Sequence, residues 1–316
     1  MQAAILEGFG GPERVRLGEW PDPTPGPGEV LVRVRAAAMN PLDWKLRRGK
    51  LRFIFRLRPP TVLGFDLAGE VVRVGPGTSR FAAGDAVFGT MPRPGAHAER
   101  AVVPESFLLP LPRGLGFEEA AALPAAGLSA LIVVRDLAQT KAGERVLVNG
   151  AAGGIGHLAL QLLRARGAET VAVASARNLD FVRDLGAAEA LDYAREDFVR
   201  RGGSYDAVLD LVPNRSFTEC RPLLRPGGVY VTTMPRGGPI AWWLLTGALS
   251  VFPTTRRCRM LMLRPNERDL REVAELAVAG TLRPHVGETF PLREAAHAHA
   301  RLESGHVRGK LVLTVG

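Results

Sequence analysis

The sequence predicts an α/β chain of two domains: a small antiparallel barrel or sandwich, then a doubly wound parallel sheet. Three observations predict it. The first 115 residues are short alternating runs cut by turns, whereas from about Gly116 long Ala/Leu-rich stretches alternate with bare Val-rich runs. The last run, LVLTV, alternates again like the first part. Length agrees, because 316 residues exceed the roughly 250 to 300 at which single cores stop growing.

In the N-terminal part PTPGPGE precedes VLVRVRA, VGPG follows GEVVRV, and GDAVFG comes at similar spacing. An apolar residue at every second position gives a strand one core face and one wet face. Beyond Gly116, FEEAAALPAAGLSALIVVRDLA reads as helix and RVLVNG as a bare apolar strand. There follow helix GIGHLALQLLRARG, strand TVAVAS, helix NLDFVRDLG, strands EALDY and YDAVLDLV, helix SFTECRPLLR and strand GGVYVTTM. Strands apolar on both faces belong to a parallel sheet covered by helices on both sides. RCRMLML is a candidate last strand, and DLREVAELAVAG has the i, i+3, i+4 spacing of an amphipathic helix. The terminal LVLTV is expected to return to the N-terminal barrel.

A chain 46% hydrophobic and 23% charged has the composition of a soluble globular protein. Cys220 and Cys258 lie far apart without partners at metal spacing, which excludes a disulfide framework or zinc ribbon and suits a reducing cytoplasm. The start MQAAILEGFGGPE lacks the basic and apolar regions of a secretion signal. The longest apolar run, Pro239 to Pro253, has 15 residues, short of the roughly 20 that span a bilayer. It reads as a buried or substrate-facing helix.

The net charge of +9 admits nucleic acid, an anionic membrane or a small anionic ligand. Its densest stretch, KLRRGKLRFIFRLR from Lys45 to Arg58, has seven cations and no acid, with Phe53 and Phe55 interleaved. No recognition helix, zinc finger or RNA-binding signature accompanies it, so it reads as a solvated loop beside a cofactor phosphate. His157 begins a helix, while His297 and His299 fall on an expected surface helix. Two histidines at i, i+2 face different ways and make no metal pair.

Chemistry enters at GAAGGIG, between RVLVNG and its helix. Gly150, Gly153 and Gly156 supply a tight turn, close approach of backbone N–H groups to a pyrophosphate, and helix-to-strand packing. Ala152, Gly154 and Ile155 complete a phosphate-binding turn. The next strand ends TVAVASARN, where a carboxylate would hold the ribose hydroxyls of NAD and repel the added phosphate of NADP. Ser175, Arg177 and Asn178 offer donors and positive charge instead, and a charge-assisted bond to phosphate contributes about 1.5 to 3 kcal/mol. NADPH is the expected cofactor.

The segments GPGEVLVRVRAAAMNPLDWKLRRG, GFDLAGEVVRVG, FAAGDAVFG, AALPAAGLSAL, AGERVLVNGAAGGIG, LGAAEALDY and GKLVLTV resemble the medium-chain dehydrogenase/reductase superfamily, in its zinc-independent quinone oxidoreductase branch. The resemblance implies a GroES-like barrel of residues 1–118 plus 282–316, a Rossmann domain of residues 119–281, and an active site in the cleft. Asn40 stands where the alcohol dehydrogenases of the superfamily have a ligating Cys, and Gly64-Phe65-Asp66 where they have Gly-His-Glu. No zinc is expected.

Without a Lewis acid the acceptor must be reactive in itself, a quinone or an α,β-unsaturated carbonyl. By the resemblance Asn40 lies beside the nicotinamide, touching its ribose or a substrate oxygen; Asp43 is a candidate catalytic group whose plainer role is a local cap. The Tyr that protonates substrate in similar enoyl thioester reductases is missing between Lys45 and Pro60. Further cofactor contacts implied by match are Ser129 facing the nicotinamide half, Lys310 on the cofactor side of the cleft, Tyr193 at the adenosine phosphate, Leu211 and Val212 at the adenine and its ribose, and Thr233 and Met234 at the nicotinamide. A small-molecule acceptor and a homodimer are implied too. The competing reading is a low-turnover NADPH-binding sensor that uses residues 45–58 to hold RNA or membrane.

Overall fold

The alternating run after PTPGPGE forms the longest strand of the N-terminal part. In the computed structural model, which describes residues 1–52, 54–233 and 254–316, the strands of this part are β1 (Gln2–Leu6), β2 (Val15–Glu19), β3 (Glu29–Met39), β4 (Thr61–Val62), β5 (Asp66–Val74), β6 (Ala86–Thr90), β7 (Arg100–Pro104) and β8 (Leu108–Pro110). β3 buries Val30, Val32 and Val34 and exposes Arg33 and Arg35. It pairs antiparallel with β5, and its first half also pairs with β7. β1 carries β2 and β4 on its two edges.

The second part contains β9 (Arg145–Asn149), β10 (Glu169–Ala174), β11 (Glu189–Asp192), β12 (Tyr205–Asp210), β13 (Leu224–Thr232) and β14 (Arg257–Met260). All pair parallel, in the order β11-β10-β9-β12-β13-β14. The order reverses between β9 and β12, and sheets of this kind bind ligands beyond the strand carboxyl ends at such a switch point. Leu147, Val171, Val173, Val208 and Phe217 fill the core beneath.

Two late strands, β15 (Val286–Pro291) and β16 (Lys310–Thr314), return to the first part as expected of LVLTV. β16 lies antiparallel to the second half of β3, with Leu311 opposite Met39 and Thr314 opposite Ala36.

The chain divides into a GroES-like unit, Met1–Ala125 with Pro265–Gly280 and Pro284–Gly316, and a Rossmann-like unit, Ala126–Arg264 with Thr281–Arg283. These limits differ from the expected 1–118 plus 282–316 and 119–281. Helix Phe117–Ala122 buries Ala120, Ala121 and Ala122 against β3 and β5, and so belongs to the first unit. Helix Glu267–Val278 belongs there too: it packs against β8, and Arg80 grips Glu267 through two hydrogen bonds of 2.9 and 3.0 Å. The long helix expected from Phe117 breaks at Pro124, which has no N–H to continue it, and restarts as Pro124–Leu131 followed by a widened turn to Leu137.

The basic stretch is not one solvated loop. Arg47 closes helix Pro41–Arg47 fully buried and pairs with Glu303, which also accepts from Arg48 Nε at 2.8 Å. Lys45 and Lys50 lie over the Trp44 ring and Arg52 over Phe9, so much of the charge is engaged locally. His299 is not on a surface: helix Ala295–Glu303 buries it fully, edge-on to His97 at 5.6 Å between ring centroids. His297 packs against Phe290.

Among the described residues no helix is long and apolar enough to cross a membrane. The apolar run 239–253, Phe53 and Met234 lie outside the described residues.

Candidate functional sites

In the Rossmann-like unit the strand ends form a row. Gly150 directly follows β9 with φ +79°, a left-handed conformation that only glycine adopts without strain. A Cβ there would stand 2.4 Å from Val212 Cγ2, and one on Gly156 would stand 2.2 Å from the Gly150 carbonyl oxygen. The first glycine therefore lets the turn pass beneath Val212. The third lets helix Gly156–Ala165 start against that turn. Gly153 N donates to Gly150 O over 3.0 Å, and the buried His157 ring sits 2.9 Å from Gly153 O through Nδ1.

Ala151 N bonds Val173 O, which sets the turn beside the end of β10. Ser175 follows β10, and Asn178 Nδ2 donates to its hydroxyl over 3.2 Å. Arg177 is exposed on the same short turn. The nearby acid Asp180 pairs with Arg183 at 2.8 Å. Tyr193 is 46% exposed past β11, its N–H on Ala174 O. Leu211 is buried past β12, with Val212 exposed beside it, and Thr233 follows β13 half-buried. Ser129 is buried inside helix Pro124–Leu131. The structure thus brings the glycine turn, Ser175, Arg177, Asn178, Tyr193, Leu211, Val212 and Thr233 to one sheet edge.

Sequence reading missed the polar floor of this edge. Asn149, ending β9, donates through Nδ2 to Asp210 Oδ1 at 2.7 Å and to Asn214 Oδ1 at 2.8 Å. Asp210, ending β12, also accepts from the Tyr230 hydroxyl at 2.9 Å. Burial raises the Asp210 carboxyl above its ordinary range, against the Asn149 and Tyr230 bonds. Burial, and then the Asp210 charge, raise the Tyr230 phenol. The signal available was a polar residue closing each of two otherwise apolar strands.

A second polar cluster belongs to the GroES-like unit. Asn40 joins β3 to helix Pro41–Arg47, where its backbone N–H donates to Asp43 Oδ2 over 2.6 Å. Its side chain is clamped at both ends. Lys310 Nζ donates to Asn40 Oδ1 at 2.6 Å and to Met39 O at 2.9 Å, and Asn40 Nδ2 donates to Asp66 Oδ2 at 2.9 Å. Lys310 and Asp66 are 3.8 Å apart, and the other Asp66 oxygen accepts from Ala125 N at 3.3 Å.

Asp43, Asp66 and Lys310 are buried, and Asn40 is half-buried. Burial lowers the Lys310 ammonium, which the Asp66 and Asp43 charges oppose. Burial raises Asp66, opposed by Lys310 and Asn40. Burial also raises Asp43 to about 7, against the Asn40 N–H, and the neighbouring Asp66 charge adds to the rise. Asp66 was legible only as the place of an absent ligand, and its contact with Lys310 joins distant parts of the chain.

The sequence model described as an alcohol dehydrogenase GroES-like domain matches residues 26–113, and one described as a zinc-binding dehydrogenase matches residues 185–313. A chloroplast envelope quinone oxidoreductase homolog of Arabidopsis thaliana is 34% identical, covering 97% of this chain and 94% of that protein. The quinone oxidoreductase of Coxiella burnetii superposes with a TM-score of 0.91 at 33% identity, over 100% of this chain and 99% of that one. An Escherichia coli quinone oxidoreductase solved with NADPH superposes with a TM-score of 0.87 at 26% identity, covering 99% and 100%. With both units matched and the likeness running the full length, the chain belongs to the medium-chain dehydrogenase/reductase superfamily, in its quinone oxidoreductase-like branch.

Proposed function

We propose that this protein is an NADPH-dependent reductase of quinones and α,β-unsaturated carbonyls. The observation that carries the reading is the glycine turn at the switch point of the parallel sheet, beside a β10 end that presents Ser175 and Arg177 and no carboxylate. The quinone oxidoreductase relatives, one of them solved with NADPH, support it.

The residues present suit the cofactor. Backbone N–H groups of the turn from Gly150 to Gly156 would cradle the pyrophosphate, since no side chain lies within 4 Å of where a Gly153 Cβ would stand. Ser175, Arg177 and Asn178 would hold the 2′-phosphate, with Tyr193, Leu211 and Val212 around the adenosine; Ser129, Thr233 and Met234 are the candidates for the nicotinamide half. NADPH, when bound, supplies a hydride, one hydrogen that carries the two electrons of the reduction. Asn40 contributes a hydrogen bond to the oxygen that gains charge, and water or Asp43 supplies the proton.

Zinc does not fit positions 40, 65 and 66. Asn40 offers a neutral amide, and Phe65 brings an apolar ring packed edge-on against Phe55 at 5.7 Å. Asp66 already faces the Lys310 ammonium. A metal there would have to displace the buried Lys310 cation from Asp66. The same reading includes a small-molecule acceptor, a homodimer and a reducing, cytoplasmic setting; sedimentation equilibrium tests the dimer.

NADPH consumption is to be followed with benzoquinone, phenanthrenequinone, enones and enals. Turnover of at least one class, faster with NADPH than NADH, is the expected result. Tight NADPH binding with no turnover of any acceptor would contradict the reading.

A further inference from the structure

An amide side chain is ambiguous, since it presents an acceptor and a donor of nearly equal size. At Asn40 the surroundings remove the ambiguity. Lys310 has donors only and Asp66, when ionised, acceptors only, and each meets the matching end of the amide. Rotating the amide by half a turn would set its N–H₂ against the ammonium and its oxygen against the carboxylate. Both hydrogen bonds would be lost among buried charges.

Asn40 Nδ2 carries two hydrogens, and Asp66 takes one. Among the described residues the second has no hydrogen-bond partner in the protein. Asp43, Asp66 and Lys310 are buried, so the half-buried Asn40 is where this cluster meets its surroundings. A cation on the amide oxygen also draws electron density from the nitrogen and strengthens the remaining donor.

We propose that Lys310 and Asp66 are positioning residues that make Asn40 a one-way donor, so that the ligand atom it meets is an oxygen gaining negative charge. Lys310 therefore acts through Asn40 and does not bind the cofactor. This rests on the reductase reading above, and it deepens it: the acceptor must carry its carbonyl oxygen within reach of a fixed N–H, as quinones and enones do. Donors held in place before reaction favour developing charge without reorganising.

The test uses the full-length protein as wild type, Lys310→Met, Lys310→Arg and the double variant Lys310→Met/Asp66→Asn. The double variant removes both charges together and avoids a buried unpaired carboxylate. The first measurement needs no turnover: hydrogen exchange of the Asn40 side-chain amide by ¹⁵N–¹H spectroscopy, its signal identified by loss in Asn40→Ser. Exchange should accelerate at least about tenfold in Lys310→Met and in the double variant, and Lys310→Arg should restore part of the protection. Equal exchange in all four proteins would overturn the proposal.

The second measurement separates kcat from binding. Lys310→Met should lower kcat on an enone by about 10²-fold while leaving the Kd for NADPH within about twofold. Loss of NADPH affinity matching the loss of turnover would make Lys310 a cofactor ligand and overturn the proposal. If the wild type turns over no acceptor, the reductase reading fails and the exchange measurement still decides the positioning role.

Discussion

Asn149 Nδ2 donates to Asp210 Oδ1 over 2.7 Å, tying the carboxyl ends of β9 and β12 where the strand order reverses. The bond lies directly under the turn that begins at Gly150 and beside Val212, the two groups that meet across the same gap. It holds the floor of the nucleotide edge. Asp210 also anchors the Tyr230 hydroxyl and the Arg215 N–H, so one carboxylate ties the ends of β9 and β12 to β13 and to the loop after β12.

Asp210→Ala should take the carboxylate partner from Asn149, which keeps Asn214 Oδ1, and from Tyr230, which keeps the Arg215 carbonyl. A hydrogen bond to a charged group contributes about 1.5 to 3 kcal/mol, so chemical denaturation should show a loss of at least about that size. NADPH affinity should fall at the same time. A variant as stable as wild type would remove Asp210 from this role.

Arg177→Ala tests the cofactor preference. The lost charge-assisted contact should weaken NADPH by roughly 10- to 100-fold, following about 1.5 to 3 kcal/mol, and should leave NADH nearly unchanged. Fluorescence titration with both cofactors is the measurement. Equal losses would remove the 2′-phosphate contact from the account.

His97 and His299 predict the response to acid. Burial pulls His97 down to about 3, and burial, helped by the neighbouring His97 ring and the Arg47 charge, holds His299 well below its ordinary value. Both rings are neutral in the fold, whereas in the unfolded chain they take protons near 6.5. The unfolded state therefore binds more protons below that pH, and stability falls as pH drops from about 6.5 toward 3, by up to about 1.4 kcal/mol per pH unit for each ring. His97→Phe/His299→Leu should flatten this part of a urea-denaturation profile. An unchanged slope would show that other groups set the acid sensitivity.

What was legible followed from local pattern. Alternation in VLVRVRA and bare apolar runs such as RVLVNG mark the two sheet types, because side-chain period and burial are properties of a strand and its faces. The glycine turn was legible because its φ and clearances forbid other residues. Three things were not. The clamp on Asn40 joins residues 40, 66 and 310, and no local spacing shows that they meet. His299 sits in AAHAHA, where the small alanines leave little contrast between helix faces, so its burial was missed. The unit limits depend on which sheet the helices at 117–122 and 267–278 pack against, and amphipathicity shows a buried face but not its partner. The charge of Lys45 to Arg58 misled for the same reason, since Glu303, which covers Arg47, is remote in sequence.

The central claim, that this chain reduces a conjugated carbonyl with NADPH and uses Asn40 to stabilise the charged oxygen, comes down to one comparison. Wild type and Asn40→Ala should be measured side by side for kcat with an enone or quinone and for the Kd of NADPH. The expected result is a kcat lower by about 10²-fold in the variant, with Kd for NADPH altered no more than about twofold. An Asn40→Ala protein that turns over acceptors as fast as wild type would contradict it.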